Sequence, residues 1–237
     1  MNAPGRIAAF TLLALAAAAA LFAYGVRSGR IMLPDRWNPW TPLDVRQPPG
    51  PLTGWKLWRA THDPQLCRAA LDLSGMTYHP VPDQSAGPGC ELHGAVRVER
   101  LDTRFGSSFL ASCPLALGVA LFDAQYLQPA AQAFYGEPVA RIDHVGSYAC
   151  RNVNHAASGS LSQHAHANAL DITGFVLAGG RRITVTGDWN DGGKAGQFLR
   201  QVHDGACKSF NATLGPEYNA LHATHFHVDM GPYRMCR

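Results

Sequence analysis

The first clear pattern along the chain is an apolar run from Ile7 to Val26, which carries no charged residue and is rich in Ala and Leu. A helix of about twenty residues rises about 30 Å, which is the hydrocarbon thickness of a bilayer. Arginines at positions 6, 27 and 30 flank the run. It predicts one membrane-spanning helix within an N-terminal anchor of residues 1–30. A cleaved signal peptide is the alternative, and the length of the run favours the anchor.

The pattern after this segment is rich in proline rather than apolar. Residues 31–53 contain Trp37, Trp40 and six prolines, a composition that predicts an extended linker. The folded domain is therefore expected over residues 54–237.

Helical and strand periodicities alternate within that domain. Apolar spacing, with proline in some first turns, predicts helices at 64–73, 114–122, 129–134 and 194–210. Alternating or β-branched stretches predict strands at 96–101, 139–149, 171–177, 182–186 and in the final histidine segment. These elements predict an α+β fold, in which a small antiparallel sheet carries the site and is flanked by helices.

Cysteine content and net charge narrow the compartment and the partners. All six cysteines follow the apolar run, and none forms a C-x-x-C pair, which is typical of disulfides in an oxidising compartment. Free thiols in a cytosolic enzyme are the weaker alternative. The expected pairs are Cys67–Cys90, Cys113–Cys150 and Cys207–Cys236. A formal charge of +3 without a basic run argues against a nucleic-acid partner.

Two short segments, 162–171 and 222–229, hold five of the eleven histidines and also Asp171 and Asp229. This density of histidine and carboxylate is typical of a catalytic zinc centre. A continuous helix or strand would hold His164 and Asp171 too far apart to bind one ion. The chain must therefore bend between them, and the small residues Ala167 and Ala169 permit a close approach of the backbone.

Strand alternation in the second segment places His225, His227 and Asp229 on one face, with Phe226 and Val228 on the other. Two histidines and one carboxylate would leave a fourth zinc position for water, and His225 is the candidate to accept the proton of that water. One alternative is a set of polar sheet residues without metal. Another is a serine hydrolase built on Ser162, which the absence of a G-x-S-x-G motif disfavours.

The first segment, Ser162-x-His164-x-x-Ala167-x-Ala169-x-Asp171, resembles the S-x-H-x-x-G-x-A-x-D signature of the zinc peptidases grouped with lysostaphin, D-Ala-D-Ala carboxypeptidases and the hedgehog N-domain. His225-x-His227 resembles their terminal H-x-H. Within that group the domain most resembles the extensin-like C-terminal family of bacterial envelope proteins, through residues 146–151, 225–227 and 236–237.

The resemblance implies a metal set of His164, Asp171 and His227 for one zinc ion per chain. It also implies that His225 and His222 serve the water or the transition-state oxyanion, and that Arg151 holds a substrate carboxylate. The implied activity is hydrolysis of peptidoglycan stem or cross-link peptides at a D-amino-acid linkage, and the H-x-H form favours an endopeptidase over a carboxypeptidase.

Together with the anchor and the cysteines, the resemblance implies a single-pass protein of the bacterial inner membrane with its catalytic domain in the periplasm. Peptidoglycan peptides and the membrane are then its partners, and any regulatory protein partner is unknown. Two alternatives remain open: a zinc-containing peptidoglycan-binding module without catalysis, and an envelope scaffold with a structural metal.

Overall fold

The computed structural model describes residues 3–237, except the side chains of residues 3, 4, 6 and 155. It divides into two units, which are described separately below. One contains the residues through Thr41 together with Gly50–Lys56, and the other contains Pro42–Pro49 and Leu57–Arg237.

The first unit is dominated by a long apolar helix, α1 (Ala3–Arg27). An 18-residue window within its stretch Ile7–Arg27 has a mean hydropathy of 2.2, and none of that window is buried. The helix is thus long and apolar enough to cross a membrane, and a signal sequence has the same features. A short 3₁₀ turn, Asp35–Trp37, lies within the proline-rich stretch.

The second unit is built mainly from helices and a large sheet. α2 (Thr53–His62) begins among the residues of the first unit and ends among those of the second. The other α-helices of the second unit are α3 (Pro64–Ser74), α4 (Cys113–Phe122), α5 (Gln128–Tyr135), α6 (Val185–Asp188) and α7 (Lys194–Ser209). The strands are β1 (Thr77–Pro80), β2 (Gln84–Ser85), β3 (Glu91–Leu92), β4 (Val96–Arg100), β5 (Arg104–Ala111), β6 (Val139–His144), β7 (Ala169–Leu177), β8 (Arg182–Thr184), β9 (Ala212–Leu214), β10 (Phe226–Asp229) and β11 (Met235–Cys236).

The main sheet has nine strands in the order β1-β4-β5-β6-β7-β10-β9-β11, with β8 also paired to β7. The α+β class is confirmed, but the expectation of a small antiparallel sheet was wrong. The pairs β5–β6 and β9–β11 are parallel, so the sheet is mixed. Several strands escaped prediction because β9 and β11 are only two or three residues long and β5 alternates poorly between buried and exposed positions.

The predicted helices are present, each within about two residues of its expected bounds. The strand expected at 139–149 ends earlier, at His144. Val145 and Gly146 still hydrogen-bond to the Asp171 backbone, but Gly146 has a φ of 125°, which is outside the strand region and ends the regular strand. The strand expected at 182–186 also ends early, at Thr184, whose hydroxyl caps α6 by accepting a hydrogen bond from the Gly187 amide.

One face of the central strands packs into the hydrophobic core. On β10, Phe226 and Val228 are fully buried, and on β7 Leu170 and Ile172 lie beside them in register. They share one core with the buried side chains of α4 and α7. Burying each such side chain contributes roughly 1.5–3 kcal/mol. The opposite face of the same strands is therefore left to carry polar groups.

Three disulfides stabilise the domain: Cys67–Cys113, Cys90–Cys150 and Cys207–Cys236. The expected pair Cys207–Cys236 is confirmed, and the expected pairs Cys67–Cys90 and Cys113–Cys150 were wrong. Those expectations paired neighbours in sequence, whereas packing of α3 against α4 brings the Cα atoms of Cys67 and Cys113 to 6.1 Å.

Candidate metal centre

A sharp bend joins the two halves of the first histidine segment. The Ser162 hydroxyl accepts a hydrogen bond from the His164 amide at 3.3 Å and starts the 3₁₀ turn Gln163–His166. Ala167 then adopts a left-handed conformation, with φ of 49°, before β7 begins. This conformation costs a residue with a Cβ roughly 1–2 kcal/mol, which explains why the signature has glycine at this position. The predicted bend is therefore present, with Ser162 as its support.

The second histidine segment faces the first across the sheet. In the antiparallel pair β7–β10, Asp171 lies directly opposite His227, so their side chains project from the same face. This is the face turned away from Phe226 and Val228. His164 reaches the same point from the turn before β7.

Three ligand atoms converge at this point. The His227 Nδ1 lies 3.0 Å from Asp171 Oδ1, and the His164 Nε2 lies 3.2 Å from both of these atoms. Two ligands bound to a tetrahedral zinc ion at about 2.0–2.1 Å would lie about 3.3–3.4 Å apart. The three residues therefore fit one small cation, without a change of side-chain position larger than a few tenths of an ångström.

The outer nitrogens of both histidines have acceptors. The Nδ1 of His164 lies 3.1 Å from the carbonyl oxygen of Ser147, and the Nε2 of His227 lies 3.0 Å from the carboxylate oxygen Oδ2 of Asp229. Because these oxygens only accept, each histidine carries a proton on its outer nitrogen. The inner nitrogen, His164 Nε2 or His227 Nδ1, can therefore bind a cation once any proton on it is displaced. Metal-binding histidines almost always have such outer partners.

The three ligand atoms are electron-rich and repel one another at these distances unless a proton or a cation lies between them. Burial opposes charge on His227, but hydrogen bonds to Asp171 and Asp229 outweigh it and raise its pKa to about 9. Burial likewise disfavours ionised Asp171, yet hydrogen bonds from His164 and His227 hold its pKa far below the usual range. A proton can supply the positive charge in the metal-free protein, and a divalent cation would displace that proton.

A second group of potential ligands, His203, Cys207 and Cys236, lies near the end of α7. Cys207 and Cys236 form a disulfide, and a metal ligand requires the thiolate. The His203 ring instead donates from Nε2 to the backbone oxygen of Arg237 at 3.1 Å. This group therefore stabilises the end of the sheet in the oxidised protein.

Two further histidines lie beside the first cluster. The Nε2 of His225 is 3.5 Å from Asp171 Oδ1, and burial lowers the pKa of His225 despite the nearby carboxylate. His222 donates from Nδ1 to the side-chain oxygen of Asn219 at 2.8 Å, so its Nε2 is left as an acceptor. Burial first, and then the charges of His227 and His225, lower the pKa of His222 to about 4. Both rings are therefore neutral near pH 7.

A cavity of about 490 Å³ opens over the cluster. Its lining includes the three candidate ligands together with His222, His225 and Arg151. Arg151 is half-buried, and its backbone oxygen accepts a hydrogen bond from the Ser162 amide at 3.0 Å. The disulfide Cys90–Cys150 fixes the residue before it. Among the side chains that the structure describes, no carboxylate forms a salt bridge with the Arg151 guanidinium.

The fold thus brings every candidate residue named from the sequence to one cavity, while their chemical roles stay predictions. Sequence reasoning placed Asp229 on the same face as His227 but gave it no role. The signal was present, because strand alternation placed both residues on one face. It also missed the apolar residues of β9 and β11 that line the same cavity, since strands this short carry no periodic pattern.

The mixed sheet, the disulfides and this cluster define an α+β domain with a candidate metal centre. Residues 65–237 match the family model described as extensin-like protein C-terminus, and the chain therefore belongs to that family. The matched region contains all six cysteines and both histidine segments. No curated protein and no solved structure matches the chain significantly.

Proposed function

We propose that the protein is a zinc-dependent peptidase of the bacterial cell envelope, which hydrolyses peptidoglycan stem or cross-link peptides at a D-amino-acid linkage. The observation that carries the proposal is the convergence of His164 Nε2, Asp171 Oδ1 and His227 Nδ1, with an acceptor behind each histidine. Three protein ligands leave a position for water, as in catalytic rather than structural zinc sites.

A zinc ion held there would lower the pKa of a water molecule and polarise the carbonyl oxygen of the scissile bond. His225 is neutral near pH 7 and lies at the edge of the cluster, so it can take the proton released in the attack and deliver it to the leaving amine. His222 is also neutral and keeps Nε2 as an acceptor, which suits a second proton-accepting or positioning role better than donation to an oxyanion.

Arg151 supplies the positive charge of the cavity that is suited to a substrate carboxylate. It lines the same cavity as His225, the proposed base. A carboxylate bound to Arg151 would thus orient the peptide beside His225. We favour an endopeptidase, since the H-x-H form resembles that branch of the zinc peptidases.

The proposed location follows from two features of the chain. An apolar helix at the N-terminus is long enough to span a membrane, and three disulfides are typical of an oxidising compartment. A domain tethered to the outer face of the inner membrane would meet peptidoglycan in the periplasm.

Metal analysis combined with digestion of muropeptides tests the proposal. The full-length protein should bind one zinc ion per chain and release peptide products. His225→Ala should keep the zinc and lose at least about a hundredfold in rate, because general acid–base catalysis typically contributes that much. His166→Ala is the matched control, since His166 belongs to the same 3₁₀ turn as His164 but is exposed.

The outcomes separate the alternatives. A protein that binds no zinc when purified without chelators would contradict the proposal altogether. Bound zinc without cleavage of any stem peptide or cross-link would instead identify a binding module that has kept the metal but lost catalysis.

A further inference from the structure

We propose that the β9–β11 side of the cavity is a specificity pocket, which receives an apolar side chain of the substrate next to the bond that is cut. The pocket is defined by Leu214, Tyr218, Leu221, Tyr233 and Met235, and is called the apolar wall below. This inference rests on the proposed function, because the metal centre fixes where the scissile bond lies.

Strand register places the apolar wall directly beside the candidate ligands. Asp171 on β7 lies opposite His227 on β10, and His227 lies opposite Leu214 on β9. Residues that face each other across a sheet project from the same side. Leu214 therefore stands one strand away from a metal ligand, at a spacing of about 5 Å.

The next row of the sheet continues the same surface. Asp229 lies opposite Ala212, and Ala212 is in register with Met235 on β11. Along this row the surface is polar at Asp229, which contacts His227, and apolar at Met235, two strands away. A ligand whose polar end reaches the metal would extend across β9 toward Met235.

Exposed apolar side chains are concentrated around this cavity. Within residues 57–237, eight large hydrophobic side chains are exposed, and all but three line the cavity. Those elsewhere are Trp58, Leu73 and Val145. Met235 is 40% exposed and Leu221 is 55% exposed, and both line the cavity, where a bound ligand would cover them. Clustered exposed apolar surface in a cavity with a few convergent polar groups is typical of a ligand site.

Arg151 and the apolar wall come from different segments, although Val153 and Leu161 of the first segment also line the cavity. Arg151, Ser160 and Gln163 belong to the chain before β7, whereas the apolar wall belongs to β9, β11 and the connections beside β10. A peptide bound at the cluster would therefore place a carboxylate or polar group near Arg151 and an apolar side chain against Leu214 and Met235. This arrangement gives the substrate a preferred direction.

A series of alkyl hydroxamates tests the apolar wall without requiring catalysis. These compounds chelate zinc through two oxygen atoms, so acetyl, butyryl and hexanoyl hydroxamates share the metal contact and differ only in their alkyl chain. Their dissociation constants would be measured by calorimetry on zinc-loaded full-length protein in lipid nanodiscs, with empty nanodiscs as the blank. We expect affinity to rise by about two- to fourfold for each added methylene that the wall buries.

Polar replacements of similar shape provide the decisive comparison. Leu214→Asn and Met235→Gln should each reduce the gain per methylene, and together they should lower it below about 1.5-fold, while acetohydroxamate binds as in the wild type. Val145→Thr removes an apolar surface that is 72% exposed and lies outside the cavity, so it should leave the whole series unchanged. Circular dichroism would verify that each variant is folded.

The two hypotheses fail in different ways. Acetohydroxamate that binds zinc-loaded protein with no gain for longer chains would overturn the specificity pocket and leave the metal centre intact. A gain that persists in the double variant would also overturn it. If no zinc is retained and no hydroxamate binds, the proposed function fails, and the inference fails with it.

Discussion

Replacing Asp229 by asparagine should weaken metal binding although Asp229 is not among the three converging candidate ligands. Its carboxylate accepts two hydrogen bonds, from the His227 ring at 3.0 Å and from the Gly231 amide at 2.7 Å. An asparagine side chain has only one oxygen, so one of the two donors must lose its partner. If the amide nitrogen turned toward His227, it would favour the tautomer with the proton on Nδ1, the atom that faces the metal position.

The expected magnitude follows from these contacts. Asp229 is only 8% exposed, so water cannot readily replace the lost acceptor. A hydrogen bond to a charged group contributes roughly 1.5–3 kcal/mol. Converted at about 1.4 kcal/mol per factor of ten, this predicts a ten- to hundredfold lower zinc affinity, the range usual for substitutions behind a metal-binding histidine.

Competition with a chromophoric chelator at constant pH would measure this change on the full-length protein. Asp123→Asn is the matched control, because it neutralises a buried carboxylate that lies outside the cavity. Unchanged zinc affinity in Asp229→Asn would refute the reasoning. An equal loss in both variants would also refute it, since it would indicate a general loss of stability.

Three further predictions concern the framework. Burial raises the pKa of Asp123 to about 6, although hydrogen bonds from its neighbours oppose this shift. The folded protein therefore holds the Asp123 proton more tightly than the unfolded chain does. This contribution to stability is complete below pH ~4 and is lost as the pH rises through 6. Relative to Asp123→Asn, the wild type should lose up to ~3 kcal/mol of unfolding free energy over that range, measured by urea titration at each pH. Replacing Cys207 and Cys236 by serine should cost about 3–4 kcal/mol, since their disulfide closes a loop of 29 residues, and equal denaturation midpoints would contradict this. Ala167→Gly should change stability by less than about 1 kcal/mol, because relief of the left-handed strain offsets the loss of the buried methyl group and the added entropy of the unfolded chain. Ala167→Val should clearly lower the midpoint temperature of thermal unfolding.

The sequence predicted those parts of the fold in which one face is buried. The alternation of Phe226 and Val228 with His225, His227 and Asp229 defines β10, because a shift by one residue would move the histidines into the core. The spacing of apolar residues in α7 defines its buried face in the same way. Such patterns are visible in a single chain without any knowledge of its neighbours.

The features that the sequence did not predict depend on contacts with other segments of the chain. β9 is a strand because it pairs with β10 and β11, and β11 is a strand because it pairs with β9. Segments of two or three residues carry no period of their own. Cys67 pairs with Cys113 because α3 packs against α4, which no spacing of cysteines along the chain could indicate. The size of the sheet, its purely antiparallel pairing, two of the three disulfide pairs and the ends of two strands were therefore predicted wrongly.

In the candidate site, too, the sequence pattern predicts which residues share a face of the strand, but not which atoms lie close together. Strand alternation places Asp229 beside His227 on one face, but it cannot distinguish a ligand from an outer hydrogen-bond acceptor. The sheet separates the two positions: Asp171 lies across the strand pair from His227 and meets its Nδ1, whereas Asp229 lies two residues along the same strand and meets its Nε2. An imidazole held between two carboxylates in this way carries a proton on each nitrogen in the metal-free protein, and a cation bound at Nδ1 would displace one of them and leave the proton on Nε2.

β10 also connects this chemistry to the proposed apolar wall. Its core face, Phe226 and Val228, is buried in the same hydrophobic core as α7, while its other face carries His227 between Asp171 on β7 and Leu214 on β9. The disulfide Cys207–Cys236 links α7 to β11, which carries Met235. His227 and the apolar wall are thus held by one core and one covalent link. A substitution that shifts β10 should therefore alter metal affinity and alkyl-chain preference together, whereas one confined to β11 should alter only the preference.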